Sequence, residues 1–260
     1  MKTLFLVWRQ PERRWWPVGR LTAAGGHYVF AYTKGAAEAA QAGFRPLASF
    51  PDRETVYVSP ELFPLFSNRV YAEGRPEYAD FITWAGLRED DDPIVVLGRS
   101  LGPRVTDLFE VFARPEPDPH GRCHSVFFVD GLAHRPAEAQ ARALRLSSGT
   151  RLSLEPDWDN GDDPFALKVV AEGVHVGYVP RYFCKDVKAL QVGCQDALLA
   201  TVRQVNPEAP RQFQLLCSVD ACWPAGFQPC SGPEYEPMCA DADRILQELT
   251  TTAPAGAGRR

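Results

Sequence analysis

The stretch from Arg151 to Arg181, RLSLEPDWDNGDDPFALKVVAEGVHVGYVPR, constrains this chain more than any other. Arg151–Glu155 alternates polar and apolar residues, as a half-buried strand does. Pro164–Ala171 is a second extended run, and Glu172-Gly173 turns it into a third, Val174–Val179. The first two runs are joined by PDWDNGDDP, in which Asp157, Asp159, Asp162 and Asp163 all carry carboxylates. Asp and Asn turn a chain by hydrogen-bonding their own backbone. Four carboxylates in one loop also repel each other unless something uses them. A helix is expected directly after Arg181.

These residues resemble the HIRAN domain, whose signature is a strand, then EPDNPYDPNA, then a hairpin and GYVPR. The matching residues are Glu155-Pro156, Asn160, Asp163-Pro164, Ala166 and all of Gly177-Tyr178-Val179-Pro180-Arg181. The resemblance implies a small OB-like β-barrel that binds the 3′ end of single-stranded DNA. It implies that Asp163 accepts a hydrogen bond from the terminal 3′-hydroxyl. A carboxylate accepts from a hydroxyl and repels a phosphate, so it would read a free end. Arg181 would hold a backbone phosphate, and Tyr178 would stack on a base or bond a phosphate oxygen. The chain departs from the pattern at two places. Asp162 stands where an aromatic residue precedes the loop aspartate. In Gly131-Leu132-Ala133-His134-Arg135, His134 stands where a ring would stack, and Arg135 adds charge beside it. Trp158 is an additional loop aromatic that could replace the absent ring. Lys168 points away from Leu167 and Val169, as a rim phosphate contact or as an ordinary surface lysine.

The first half has its own family look. VGRLTAAGGHYVFAY, GFRPLASFPD and LFPLFSNRVYAEGRPEY resemble the N-terminal subdomain of HipA-type proteins, with Phe66, Asn68, Glu73, Gly74 and Arg75 at matching places. The kinase motifs of those proteins have no counterpart here, so this resemblance implies architecture and no activity. The periodicities predict strands over 4–8, 16–22 and 27–33, with Gly25-Gly26 as the hairpin turn. They predict helices over 34–41, from Pro60 after a Ser59 cap, from Pro76, and over 93–99. Arg114–Pro119, with three prolines, reads as a stiff linker.

The expected fold class is therefore α+β: a HipA-N-like, β-rich domain with helices over 1–113, a Pro-rich linker over 114–119, and an OB-like β-barrel with two helices over 120–249, including a C-terminal extension. Residues 250–260 read as a disordered tail.

Charge bounds the partners. The net charge is −5, against a protein that coats DNA. Residues 120–204 are neutral, with ten basic and ten acidic side chains, which leaves room for end recognition through few phosphates. Arg9, Arg13 and Arg14 alternate with Trp8, Trp15 and Trp16; a hairpin with core tryptophans accounts for that pattern. No apolar run is long enough to span a membrane, the N-terminus lacks a signal-peptide cleavage site, and a cytoplasmic location is expected. The seven cysteines are odd in number, so a disulfide framework is not expected. Cys217, Cys222, Cys230 and Cys239 lack the spacing of a zinc knuckle, and neither a metal nor another cofactor is expected. The expected protein is non-enzymatic: it targets single-stranded DNA or DNA 3′ ends, with a nuclease, helicase or regulator acting in trans and no membrane partner. Two alternatives remain. One is a HipA-type protein–protein interaction module. The other is a metal-dependent nuclease at Asp157–Asp163, with Glu155 and Lys168 nearby.

Overall fold

The computed structural model describes residues 1–10, 15–70, 76–100 and 108–252. In chain order the elements are β1 (Lys2–Arg9), β2 (Trp15–Ala24), β3 (His27–Tyr32), α1 (Lys34–Gln41), β4 (Tyr57–Ser59), α2 (Pro64–Ser67), α3 (Pro76–Trp84), α4 (Pro93–Ser100), β5 (Phe109–Ala113), β6 (Arg122–Phe128), α5 (Ala137–Ala143), β7 (Arg151–Pro156), β8 (Leu167–Ala171), β9 (Val174–Tyr178), α6 (Arg181–Gly193), β10 (Leu199–Val205), β11 (Leu215–Cys222) and α7 (Asp241–Thr252). They form a mixed α+β protein with two antiparallel sheets, ordered β4-β3-β2-β1-β5 and β6-β11-β10-β7-β8-β9. The chain divides into two compact units.

The first unit comprises Met1–Ala72, Asp91–Arg114 and Cys230–Arg260. Strand β1 is buried continuously from Thr3 to Val7, because both of its faces are covered. Leu4 and Leu6 join Leu21, Phe30, Phe50, Phe66 and Leu97 in the core. On the other face Phe5 meets Phe112 and Tyr235, with ring centroids 5.6 and 4.9 Å away. Tyr235 belongs to a late segment that returns to this sheet: Met238 N–H donates to Tyr32 O at 2.8 Å, and Leu246 of α7 packs with Ala24 and Val29. The extension that the sequence bounds carried to residue 249 with the second domain has its residues from Cys230 on in this unit. Its last part is held here because it supplies the apolar cover that β1 and β2 need.

The helix expected from Pro60 starts only at Pro64. The Ser59 hydroxyl accepts from Glu61 N–H and donates to Glu61 O, closing a local turn in place of a cap. Asp92 caps α4, its Oδ1 accepting from Ile94 N–H at 2.9 Å. Arg13, Arg14, Glu73, Gly74 and Arg75 lie outside the described residues, so the HipA-like pattern is represented here only by its Phe66 and Asn68.

The second unit comprises Glu73–Asp90 and Pro115–Pro229. Helix α3, assigned from sequence order to the first domain, packs here. Its Phe81 and Trp84 lie against Phe213, at ring-centroid distances of 5.3 and 6.4 Å, and Asn206 Nδ2 donates to Trp84 O at 3.0 Å. The strands alternate as expected: Leu152 and Leu154 of β7 and Leu167, Val169 and Ala171 of β8 face a core that also holds Phe183 and Val187 of α6.

The expected closed barrel is corrected to an open sheet. Its two edges meet through one residue pair, Asp130 and Tyr178, which exchange backbone hydrogen bonds of 2.9 and 2.8 Å. The ladder stops there for a physical reason. Gly131 turns the chain away at φ 70°, and Pro180 has no N–H to continue the pairing. Gly177, at φ +151°, permits this contact, since a Cβ there would lie 2.5 Å from Asp130 O.

One cysteine expectation is also corrected. Cys194, at the end of α6, is disulfide-bonded to Cys222, at the end of β11. The half-cystines are 28 residues apart in sequence, a pairing that counting and spacing do not reveal. They sit in an apolar cluster with Leu190, Cys123 and Ala221.

Candidate nucleic-acid interface

The acidic loop runs from β7 to β8, and its neck is closed by Asp157 N–H donating to Ala166 O at 3.0 Å. Asn160 folds the loop from within: its Oδ1 accepts from Asp162 N–H (3.0 Å) and Asp163 N–H (2.9 Å). Asp163 Oδ1 in turn accepts from Phe165 N–H at 2.9 Å. The second oxygen, Oδ2, faces Arg181 Nε at 3.8 Å, beyond hydrogen-bond length. The Asp163 side chain is 14% exposed and that of Arg181 39%. A carboxylate oxygen and a guanidinium thus meet at a half-open position where a loop joins the first turn of α6.

Asp157 is spent differently. It is buried and accepts from Lys168 Nζ and from Tyr178 Oη, both at 2.9 Å. The Lys168 hydrogen bond, helped by that of Tyr178, holds its carboxyl below the usual range. Lys168 therefore serves the loop neck, where the sequence left it as a rim contact or a surface lysine. Tyr178 is anchored at its hydroxyl, and its ring lies under the Arg135 guanidinium, 5.4 Å from the centroid. Arg135 Nη1 also lies 3.1 Å from His175 Nδ1, while His175 Nε2 is 2.9 Å from Gly177 O. This network assigns the neutral tautomer with the proton on Nε2, donating to Gly177 and accepting from Arg135.

Burial, and then the Arg135 charge, push the His175 pKa down. Below the ordinary histidine pKa of about 6.5 the unfolded chain takes up a proton that the folded chain refuses. Stability should be full above that value and fall as pH drops towards the lowered folded pKa. Denaturant titrations of the wild type between pH 7.5 and 5 should show this decline, and His175→Gln should flatten it over the same window.

Trp158 stands out from the loop, 83% exposed, and Phe165 is 41% exposed. Lys188 Nζ lies 5.6 Å from the Trp158 ring and 5.4 Å from the Phe165 ring, and Lys185 Nζ lies 5.1 Å from Phe165. His134 is exposed at the end of a short 3₁₀ turn, Leu132–His134. The structure therefore brings together Asp163 with Arg181, Tyr178 with Arg135 and Lys168, and Trp158 with α6. Asn160 has its carbonyl oxygen committed inside the loop.

Phe165, His175, Lys185 and Lys188 were not singled out from the sequence, and Asp157 was read only as one of the loop carboxylates of a metal-dependent alternative. A readable signal existed for the lysines: Arg181, Lys185 and Lys188 fall at helical spacing i, i+4, i+7, on one face.

Among the described residues no group of three His, Cys, Asp or Glu side chains is placed to hold a metal ion. In the loop this has a visible cause, since Asp157 is turned in to Lys168 and Asp163 caps the backbone. Among the described residues, no helix is long and apolar enough to cross a membrane.

No family model matches the chain, and no curated protein matches it. Among solved structures it matches the crystal structure of the HIRAN domain of human HLTF, with 12% identity and a TM-score of 0.30 over 53% of this chain and 96% of that chain. A likeness at that level does not define a family for the chain.

Proposed function

We propose that the second unit binds single-stranded DNA and reads a free 3′-hydroxyl end, as a targeting module without chemistry of its own. A nuclease, helicase or regulator would act in trans, in DNA repair or in defence against foreign DNA. The observation that carries this reading is the split use of the Asp163 carboxylate. One oxygen is fixed by Phe165 N–H, and the other faces Arg181 at 3.8 Å without hydrogen-bonding it. A hydroxyl donor fits that acceptor, and the guanidinium beside it suits the neighbouring phosphate. A terminal phosphate placed there would meet the carboxylate charge.

Asp163→Asn tests the proposal with little risk to the fold, because the amide oxygen can keep the cap on Phe165. Fluorescence anisotropy with oligonucleotides ending in 3′-OH or 3′-phosphate should show the wild type preferring 3′-OH. In Asp163→Asn the preference should shrink by about 1.5–3 kcal/mol, the worth of a hydrogen bond to a charged group. Equal affinity of the wild type for both ends would refute end reading.

A further inference from the structure

We infer that Trp158, Phe165 and the α6 face carrying Arg181, Lys185 and Lys188 form a second contact region, which takes the bases and phosphates of the strand leading to the end at Asp163. This rests on the proposed binding of single-stranded DNA and extends it to a surface beyond the end-reading position.

Three observations carry it. Trp158 and Phe165 are the only exposed Phe, Trp or Tyr side chains among the described residues, and both lie within reach of one ammonium, that of Lys188. An exposed ring offers a π-face to any base, so such a pair suits a strand without regard to its sequence. Second, the row of cations begins against the helix's own electrostatics. The first turn of α6 has no acidic residue and the last turn no basic one. A cation in the first turn is disfavoured by the macrodipole, whose effect fades beyond that turn, so Arg181 opens this stripe against the helix's own field. Third, the dimensions fit. Residues 181 to 188 span about 10 Å along the axis at 1.5 Å per residue. A stacked strand advances about 3.4 Å per nucleotide, so the stripe matches about three phosphates.

Charge also sets the orientation. Asp159 and Asp162 are exposed on the loop and repel phosphates. The uncharged bases therefore lie over the loop rings, and the phosphates lie along α6.

The test uses the full chain, a 3′-OH oligothymidine long enough to cover both regions, and titrations at several salt concentrations. Trp158→Ala should weaken binding about 5- to 150-fold, the usual worth of one stacked base. Lys185→Gln/Lys188→Gln should reduce the slope of log K against log salt by about 1.4, at about 0.7 per phosphate contact. Wild-type tryptophan fluorescence should respond to the oligonucleotide, and Trp158→Phe should abolish the response while retaining affinity. The ratio of 3′-OH to 3′-phosphate affinity should stay at the wild-type value in every variant. Wild-type affinity and salt slope in these variants, with end preference intact, would overturn the second region and leave the proposed function standing. Absence of binding to any oligonucleotide would overturn both. Protection of Trp158 by an acidic peptide, with none by the oligonucleotide, would overturn the assignment of this surface to DNA.

Discussion

Gly177→Ala should destabilise the second unit by about 2–6 kcal/mol, combining overpacking of about 1–3 kcal/mol with backbone strain of about 1–3 kcal/mol. An added Cβ would lie 2.4 Å from Val129 Cγ1 and 2.5 Å from Asp130 O. The second neighbour is backbone and belongs to the single pair that joins the sheet's edges, so it cannot turn aside as a flexible side chain would. A domain's total stability is about 5–15 kcal/mol, and the upper part of the expected range would leave the unit largely unfolded. Gly173→Ala supplies the contrast. Gly173 sits in the β8–β9 turn at φ +81°, and a methyl group added there would have nothing within 4 Å. That change should cost only the left-handed strain, about 1–2 kcal/mol. Urea titrations of the two variants should differ clearly in midpoint, and equal midpoints would show that the close approach at Asp130 is not the constraint.

Phe213→Ala should cost about 3–5 kcal/mol, as deletion of a fully buried phenyl ring does. Phe213 is 4% exposed and lies against Phe81 and Trp84 of α3 and Phe128 of β6, the last at 5.0 Å between centroids. Its loss should also be local in a revealing way. Helix α3 would retain the hydrogen bonds from Gln204 to Thr83 O and from Asn206 to Trp84 O, both 3.0 Å, but lose its main apolar anchor. Hydrogen exchange over residues 76–90 should rise sharply and more than over β1 or β3. Unchanged protection of α3 would show that this helix draws its order from elsewhere.

The strands were legible in the sequence because their faces differ. RLSLE alternates, and the structure buries Leu152 and Leu154 while exposing Arg151, Ser153 and Glu155. What was not legible is which partner covers an apolar face. Tyr78, Phe81 and Ile82 announce a buried helix side, but the covering residue, Phe213, lies more than a hundred positions later. The same holds for Tyr235 over Phe5 and for the pairing of Cys194 with Cys222.

The site divides along similar lines. The five residues of the GYVPR match each have a visible duty: Gly177 allows close approach, Tyr178 pairs with Asp130 and binds Asp157, Val179 enters the core, Pro180 ends the pairing, and Arg181 starts α6. The loop aspartates were conspicuous, but composition could not say which one a lysine–tyrosine pair would claim. That depends on the pleat of β8 and β9, which places Lys168 opposite Tyr178.

The return of residues 230–252 to the first sheet has a consequence during synthesis. A chain made from its N-terminus completes the second unit at Pro229, while β1 still lacks the Tyr235 cover and β2 and β3 still lack α7. At about 5–20 residues per second, the interval is roughly one to five seconds. Through it every residue of the later unit has been made while the earlier sheet still lacks part of its apolar cover, so the unit begun first is the one completed last.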